Sequence, residues 1–527
     1  MQRIILFSLL SLTQWACTST QETVLPVPFD EPVPASAFEF VVVQLNDVYE
    51  ISPLDAGRVG GLARVATVIN QLKEKNPNTI AVLSGDFLSP SLISSLSEEV
   101  DGKKQRIAGA QIIAAFNAMG LDYVTFGNHE FDIKAPDLQR RLDESEFVYL
   151  SSNVMQKTEG QPPRPFMQHG KAIPNIATHI FKTDSGADVK LGLIGVTLPF
   201  NQAAYVHYEE VNAAGLAAFN QAKEDHDIVF AITHLSMEGD EQFARAIPDL
   251  PFIIGGHEHS DSLTTVGNTR IAKADANART IYIHWIQYDL ENKDISIWSQ
   301  LMPITSDIKE DPHTAEVVAS WEKKAEALIG NMGYDANAVI TTLPVALDGR
   351  ESIIRNYQTN LGRLITCAML DIDETADFAF INSGSIRIDD KLNGQIQERD
   401  VLRTLPFGGP VIHGRFKGDV LQRVLEAGLV ANKDAGGYFQ ITGNVVNIDG
   451  SYRLNGTAID PEAMYEVVLP EFLSLGLEEN LDFMDEEGEY NEIKAADVNL
   501  DIRNLVIRYL KRTDWENDCS FSGIKQF

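Results

Sequence analysis

The amino-acid sequence predicts an α/β protein of two domains, and three observations carry that reading. Short apolar, β-rich runs alternate with amphipathic stretches through the first half of the chain. Almost every one of those runs ends in Asp, Asn or His. Beyond a polar connector, a second region mixes strand and helix patterns. The length of 527 residues suits two large domains, and 44% hydrophobic with 22% charged residues is a globular balance. Regular alternation of strand and helix implies sheets packed as a sandwich with helices on the outside (αββα), not an all-β fold.

Residues 1–17 read MQRIILFSLLSLTQWAC, with one Arg ahead of an apolar run from Ile4 to Leu12. This pattern predicts an export signal and a periplasmic or cell-surface location. Lipid attachment at Cys17 is one expected outcome, and simple cleavage near Cys17 is the other. Gln14 and Trp15 replace the Leu and the small residue that bacterial lipoprotein signals usually carry. The apolar run is shorter than the roughly 20 residues a membrane-spanning helix needs. Residues 18–36, rich in Pro, Thr and Ser, read as an extended tether. Three Cys cannot build a disulfide framework. With Cys17 committed to the signal, Cys367 and Cys519 are expected unpaired, a bridge between them remaining the alternative.

The first domain is expected over 37–305. Its strand candidates are Phe38–Leu45, Thr79–Leu83, Tyr123–Phe126, Leu191–Thr197, Ile228–Thr233, Phe252–Ile254 and Ile281–Tyr288. In Leu62–Lys73, Leu62, Val65, Ile69 and Leu72 recur at helical spacing, and 106–119 and 213–224 also read as helices. A connector is expected over 306–338, with a charged helix at Glu316–Leu328, and a second α/β domain over 339–527. The acidic run Leu477–Glu489 reads mainly as solvated surface.

The strand ends carry the chemistry. Phe38–Leu45 runs into Asn46-Asp47, Thr79–Leu83 into Ser84-Gly85-Asp86, and Tyr123–Phe126 into Gly127-Asn128-His129-Glu130. Ile228–Thr233 ends in His234, and Phe252–Ile254 runs into Gly255-Gly256-His257-Glu258-His259. Open α/β sheets build their sites beyond the carboxyl ends of the strands, so these donors would converge. Asp, Asn and imidazole suit two divalent ions of the Mn, Zn, Fe or Co kind. A pair of such ions clamps the attacking and leaving oxygens of a phosphoryl displacement and acidifies a bound water. Gly85, Gly127, Gly255 and Gly256 would let the backbone pass close to the ions.

Charge sets a boundary on partners. Against 75 acidic residues stand 43 basic ones, a net of −32. That balance excludes a nucleic-acid polymer or an anionic membrane surface as the natural partner. A small phosphorylated ligand would need a strong local positive centre. His169, His179, His207, His226, His284, His313 and His413 fit no ligand motif and are expected as surface or core residues. Ser383 and Ser385 lack the partners of a nucleophile.

The ordered set, above all Gly-Asn-His-Glu-Phe-Asp at 127–132 and Gly-Gly-His-Glu-His at 255–259, resembles the metallophosphoesterase (calcineurin-like) superfamily. The second half extends the resemblance to the 5'-nucleotidases, over about residues 38–525. The resemblance implies that Asp47, Asp86 and His259 hold one metal, and that Asp86, Asn128, His234 and His257 hold the other, with Asp86 bridging. It implies that His129, oriented by Asp132, stabilises the charge on the leaving group. It further implies that Arg355, Asn382 and Arg387 contact the phosphate, and that Tyr438 and Phe483 sandwich a base. The activity so implied is hydrolysis of nucleoside 5'-monophosphates by metal-bound hydroxide.

One position departs from the pattern. The family carries Asp-x-His after the first strand, and here Tyr49 stands where that His would be a ligand. Three readings are open: Tyr49 packs or hydrogen-bonds beside the site, or binds a more acidic ion as tyrosinate, or Glu50 takes over as ligand. The departure leaves room for other phosphoesters, such as nucleotide sugars, cyclic nucleotides or sugar-glycerate phosphates. A non-catalytic surface binding protein on the same fold is the rival class, and its signature would be loss of the metal ligands or of His129.

Overall fold

The computed structural model describes residues 37–512 and Trp515, apart from 184, 201–202, 449 and 494–498. The expected signal, tether, Cys17 and Cys519 lie outside the described residues.

The first strand, Ala37–Leu45, sets the layering. Along it Phe40 and Val42 face one way and Val41, Val43 and Leu45 the other, and all five are buried. Phe40 and Val42 join Ile80, Val82, Phe230, Ile232, Phe252 and Ile254 in a core between two sheets. Val41, Val43 and Leu45 join a second core beneath helices Leu62–Lys75 and Ala110–Met119. On the far side, Val229, Ala231 and Ile253 pack with Phe219 and Phe243 of helices Val211–Asp225 and Met237–Ala246. The result is the four-layer αββα sandwich.

One six-stranded sheet runs Ile295–Pro303, Thr280–Asp289, Ala37–Leu45, Thr79–Leu83, Tyr123–Thr125, Val148–Leu150. Its pairings are parallel from Ala37–Leu45 onward. The other runs Ile176–Lys182, Asp188–Thr197, Ile228–His234, Phe252–Gly255, Thr269–Lys273, Ser262–Val266, with the middle four parallel. Thr79–Leu83 and Ile228–His234 are buried along their whole length, as parallel strands covered on both faces must be.

Two expected elements shift. The helix expected over 106–119 starts at Ala110, because Lys103–Arg106 pairs with Ser97–Val100 as a hairpin and Gly109 turns at φ 87. The connector helix is longer than expected, Pro312–Asn331: the Asp311 side chain accepts from Thr314 N at 2.8 Å, and Pro312 takes the first helical position. Its Val318, Ala325 and Ile329 are buried against the first domain, so this segment forms part of that domain's helical layer.

The second domain is built on a five-stranded sheet in the order Phe439–Ile441, Phe378–Asn382, Met464–Pro470, Val411–Lys417, Glu489–Asn491. Helices Asn360–Leu370 and Ile502–Leu510 cover one core, and Gly418–Glu426 covers another. Cys367, in the first of these helices, is disulfide-bonded, and its partner lies outside the described residues. The unpaired state expected for Cys367 is therefore corrected.

Candidate active site

The five motif-bearing strands end on one edge of the sandwich. Asp47 follows the first strand, Asp86 follows Thr79–Leu83, and Asn128 follows Tyr123–Thr125. His234 closes Ile228–His234, and His257 and His259 follow Phe252–Gly255. Asp47, Asp86 and His257 all hold left-handed backbone, at φ 53, 60 and 81. That conformation costs a non-glycine residue roughly 1–2 kcal/mol, and three instances on adjoining loops mark a site where geometry outranks local comfort. Close approach also demands glycine. A Cβ on Gly127 would lie 2.0 Å from Asp86 Oδ1, and one on Gly256 would lie 2.4 Å from Ser84 O.

Hydrogen bonds aim the donors. Asp86 Oδ1 accepts from His129 N at 2.7 Å, and its Oδ2 lies 3.1 Å from His234 Nε2. Asp47 Oδ2 accepts from Asn46 Nδ2 and His257 N, at 2.8 and 2.9 Å. Asp47 Oδ1 stands 3.6 Å from His259 Nε2. The Nδ1 of His234 lies 2.7 Å from Ser84 O, which turns Nε2 inward. Asp86, His234 and His257 place donor atoms within 4.8 Å of one another.

Two buried oxygens here, Asp47 Oδ1 and Asn128 Oδ1, have no hydrogen-bond partner among the described residues, and His234 Nε2 faces only the Asp86 carboxylate. Leaving such groups unsatisfied costs about 1–3 kcal/mol each. All three are lone-pair donors, so the donor set fits divalent cations. The electrostatics agree. Burial pushes Asp47 up to about 6. Burial opposes charge on His234, yet Asp86 and Asp47 push it up to about 9, the mark of a pocket that calls for positive charge.

Tyr49 is 8% exposed, and its hydroxyl donates to Asp86 Oδ2 at 3.1 Å. Burial and the neighbouring Asp86 and Asp47 carboxylates push the phenol well above its ordinary value. The contact of its hydroxyl with Asp86 favours the hydrogen-bonding reading of Tyr49. Glu50 lines the cleft beside Tyr49 but is not grouped with the metal donors, and it accepts from Arg403 of the second domain at 3.3 Å.

His129 and Asp132 form the expected pair, with Nδ1 2.7 Å from Oδ2. Burial lowers the imidazole's affinity for a proton, but Asp132 and Asp86 outweigh it and raise its pKa. His129 opens into a narrow cleft between the domains, which Tyr49, Glu50, His259, Glu351, Arg387 and Asp389 also line. Arg355 ion-pairs with Glu351 of that cleft. Asn382 donates to Glu478 Oε2 at 2.8 Å and accepts from Ser385 Oγ at 2.7 Å. The Tyr438 segment adjoins this loop through Ser383 N and Tyr438 O, 2.7 Å apart. Phe483 has protein partners of its own. It packs on the apolar cluster of Phe416, Leu421 and Met484, and the Arg423 guanidinium covers its ring at 4.1 Å from the centroid.

Two groups of polar residues escaped the sequence reading. Glu130 accepts from Asp86 N, Phe87 N and Leu88 N at 2.9, 2.8 and 3.2 Å, pinning the loop that carries Asp86. Its place in the 127–132 motif was the available signal. Glu351 and Asp389, on the second-domain side of the cleft, carried no motif. The spare histidines behave as expected where they are bonded: His284 is buried between Gln44 Oε1 and Ser299 Oγ, at 2.9 and 2.8 Å.

Comparison with known proteins agrees with this geometry. Residues 40–261 match the model of the calcineurin-like phosphoesterase family, and residues 339–485 match that of the 5'-nucleotidase C-terminal domain. Protein UshA of Yersinia enterocolitica is 24% identical over 475 residues, 79% of this chain and 82% of that protein. The human 5'-nucleotidase is 24% identical over 510 residues, 84% of each chain. The crystal structure of a 5'-nucleotidase precursor from Thermus thermophilus shares the fold, with a TM-score of 0.71 at 19% identity over 90% of this chain and 96% of that one. The chain is thus a member of the calcineurin-like phosphoesterase hydrolases, of the kind that carries a 5'-nucleotidase C-terminal domain.

Proposed function

We propose that the protein is an exported, dinuclear-metal phosphomonoesterase that releases phosphate from nucleoside 5'-monophosphates. The observation that carries the reading is the convergence of Asp47 Oδ1 and Asn128 Oδ1, buried and unsatisfied, with Asp86, His234 and His257 beside the cleft that His129 and Arg387 enter. Two divalent ions, Mn, Zn, Fe or Co in kind, would neutralise the phosphoryl charge and acidify the attacking water. Asp47 and His259 would hold one ion, Asn128, His234 and His257 the other, with Asp86 between them. Arg387, which lines the cleft, and Arg355, which is paired with Glu351 of the cleft, would supply the local positive charge that a phosphate needs on a chain of net charge −32. His129, oriented by the contact of its Nδ1 with Asp132, would donate to the departing oxygen. Asn382 would join the two arginines on the phosphate, and Tyr438 would offer a ring to the base. Export is supported by the charge and apolar pattern of residues 1–17.

One observation favours a second substrate class within the same chemistry. Phe483 is engaged by Arg423, which weakens the case for it as the second ring of a base sandwich with Tyr438. A phosphorylated sugar needs no such sandwich. The non-catalytic reading is not favoured, because the six candidate ligands and the His129–Asp132 pair are all present. The test is phosphate release by the metal-loaded protein from nucleotides, nucleotide sugars and sugar phosphates, with Asn128→Ala and His129→Ala as controls. Nucleoside monophosphates are expected to rank first. Sugar phosphates ranking first would overturn the nucleotide assignment, and activity retained in Asn128→Ala would overturn the metal assignment.

A further inference from the structure

His259 is held from the other domain. Its Nδ1 lies 2.6 Å from Asp389 Oδ2, while its Nε2 faces the unsatisfied Asp47 Oδ1 at 3.6 Å. The other oxygen of Asp389 accepts from Glu351 N at 2.7 Å. Asp389 itself holds left-handed backbone, at φ 41, an arrangement that costs energy at a residue with a side chain. The next residue, Asp390, ion-pairs with Arg279 of the first domain at 2.9 Å. The segment after Arg387 thus clamps onto the first domain, with Asp389 at its tip. His234 receives the same treatment from within its own domain, from Ser84 O. With Tyr49 in place of an imidazole, the half of the site served by Asp47 leans harder on His259.

We propose that Asp389 is a positioning residue for His259: it fixes the proton on Nδ1 and directs the Nε2 lone pair at the cation shared with Asp47. An imidazole bonded to a carboxylate is a more basic and better-aimed ligand, and removing such a partner costs about 10–100-fold in metal affinity. The inference rests on the dinuclear reading above. It adds that one of the two metal positions is completed by the second domain.

The test is manganese titration of the full chain by calorimetry, after chelation, with wild type, Asp389→Ala and Asp389→Asn, alongside thermal midpoints of the metal-free proteins. Wild type is expected to take up two ions. Asp389→Ala is expected to weaken one of them by about 10–100-fold and to leave the other unchanged, with only a small fall in the metal-free midpoint from the lost bonds to His259 and Glu351. Asp389→Asn is expected to recover most of the loss, because its amide oxygen still accepts from Nδ1. Two ions of undiminished affinity in Asp389→Ala overturn the inference alone. Equal losses in the Ala and Asn variants also overturn it, since Asp389 would then be a ligand itself. Loss at both positions together with a large fall in the metal-free midpoint reduces Asp389 to scaffolding. Fewer than two ions in wild type overturns the dinuclear reading and this inference with it.

Discussion

Gly127→Ala adds one methyl group at the point where the Asp86 loop passes the Asn128 loop. The backbone at Gly127 is not left-handed, so alanine is conformationally acceptable and only space is at issue. The new Cβ would sit 2.0 Å from Asp86 Oδ1 and 2.5 Å from Asp86 N. Carbon contacts are comfortable at about 3.5 Å, so the carboxylate must retreat by about 1 Å or more. Glu130 resists that retreat, because it holds the Asp86, Phe87 and Leu88 amides together. Overpacking of this kind costs about 1–3 kcal/mol of stability, which a domain of this size survives. Misplacing a reacting group by about 1 Å costs about 10²-fold in rate. Gly127→Ala is therefore expected to fold, to bind metal poorly and to release phosphate from an aryl phosphate at least about 100-fold more slowly. The measurements are circular dichroism, bound metal and initial rate. A folded variant with wild-type rate and wild-type metal content would refute the placement of Asp86 between the two ions.

His129→Ala should lose about 10²–10⁴-fold on alkyl phosphates, the range for a lost general acid, and far less on an aryl phosphate whose leaving group needs no proton. Equal losses on both would remove His129 from that role. Manganese at about 100 times its dissociation constant should stabilise the fold by about 2.7 kcal/mol, read as a rise in thermal midpoint over the chelated protein, and an unmoved midpoint would contradict the site. Phe483→Ala should lower stability by about 1–3 kcal/mol and leave KM for nucleotides unchanged, whereas Tyr438→Ala should raise that KM; the reverse pattern would restore Phe483 to the substrate. His413 lies 2.6 Å from Asp373 and 2.7 Å from Glu466. Burial opposes its charge, but the two carboxylates outweigh burial and raise its pKa from 6.5. A raised pKa stabilises the fold fully below the ordinary value and loses that contribution as pH climbs through the folded value. The thermal-midpoint gap between wild type and His413→Gln should therefore be widest in mildly acidic buffer and narrow as the pH rises, and a gap that widens would refute the pairing.

The catalytic half was readable because parallel strands buried on both faces print uninterrupted apolar runs, and because their ligands follow at once. Thr79–Leu83 into Asp86 shows both. Other strands hid. Thr269–Lys273 ends in a fully buried Lys273, which reads as a surface residue until Asp240 is found 2.9 Å from it. Ile176–Lys182 is exposed at alternate positions and sits at a sheet edge, so its apolar signal is weak. The fate of Phe483 was hidden for another reason: position in a motif does not say which side chain, here Arg423, will cover a ring. Asp389 was invisible because its partner is 130 residues away in sequence and in another domain.

The donors are divided between the two sheets. Asp47, Asp86 and Asn128 hang from one, and His234, His257 and His259 from the other. A cation held by both groups would rivet the two halves of the sandwich at that rim, adding to the bonds from His257 N to Asp47 and from Ser84 Oγ to Ile254 O. Stripping the ions should therefore loosen a mechanical seam as well as silence chemistry, and amide exchange at these loop tips would quicken before the central strands yield.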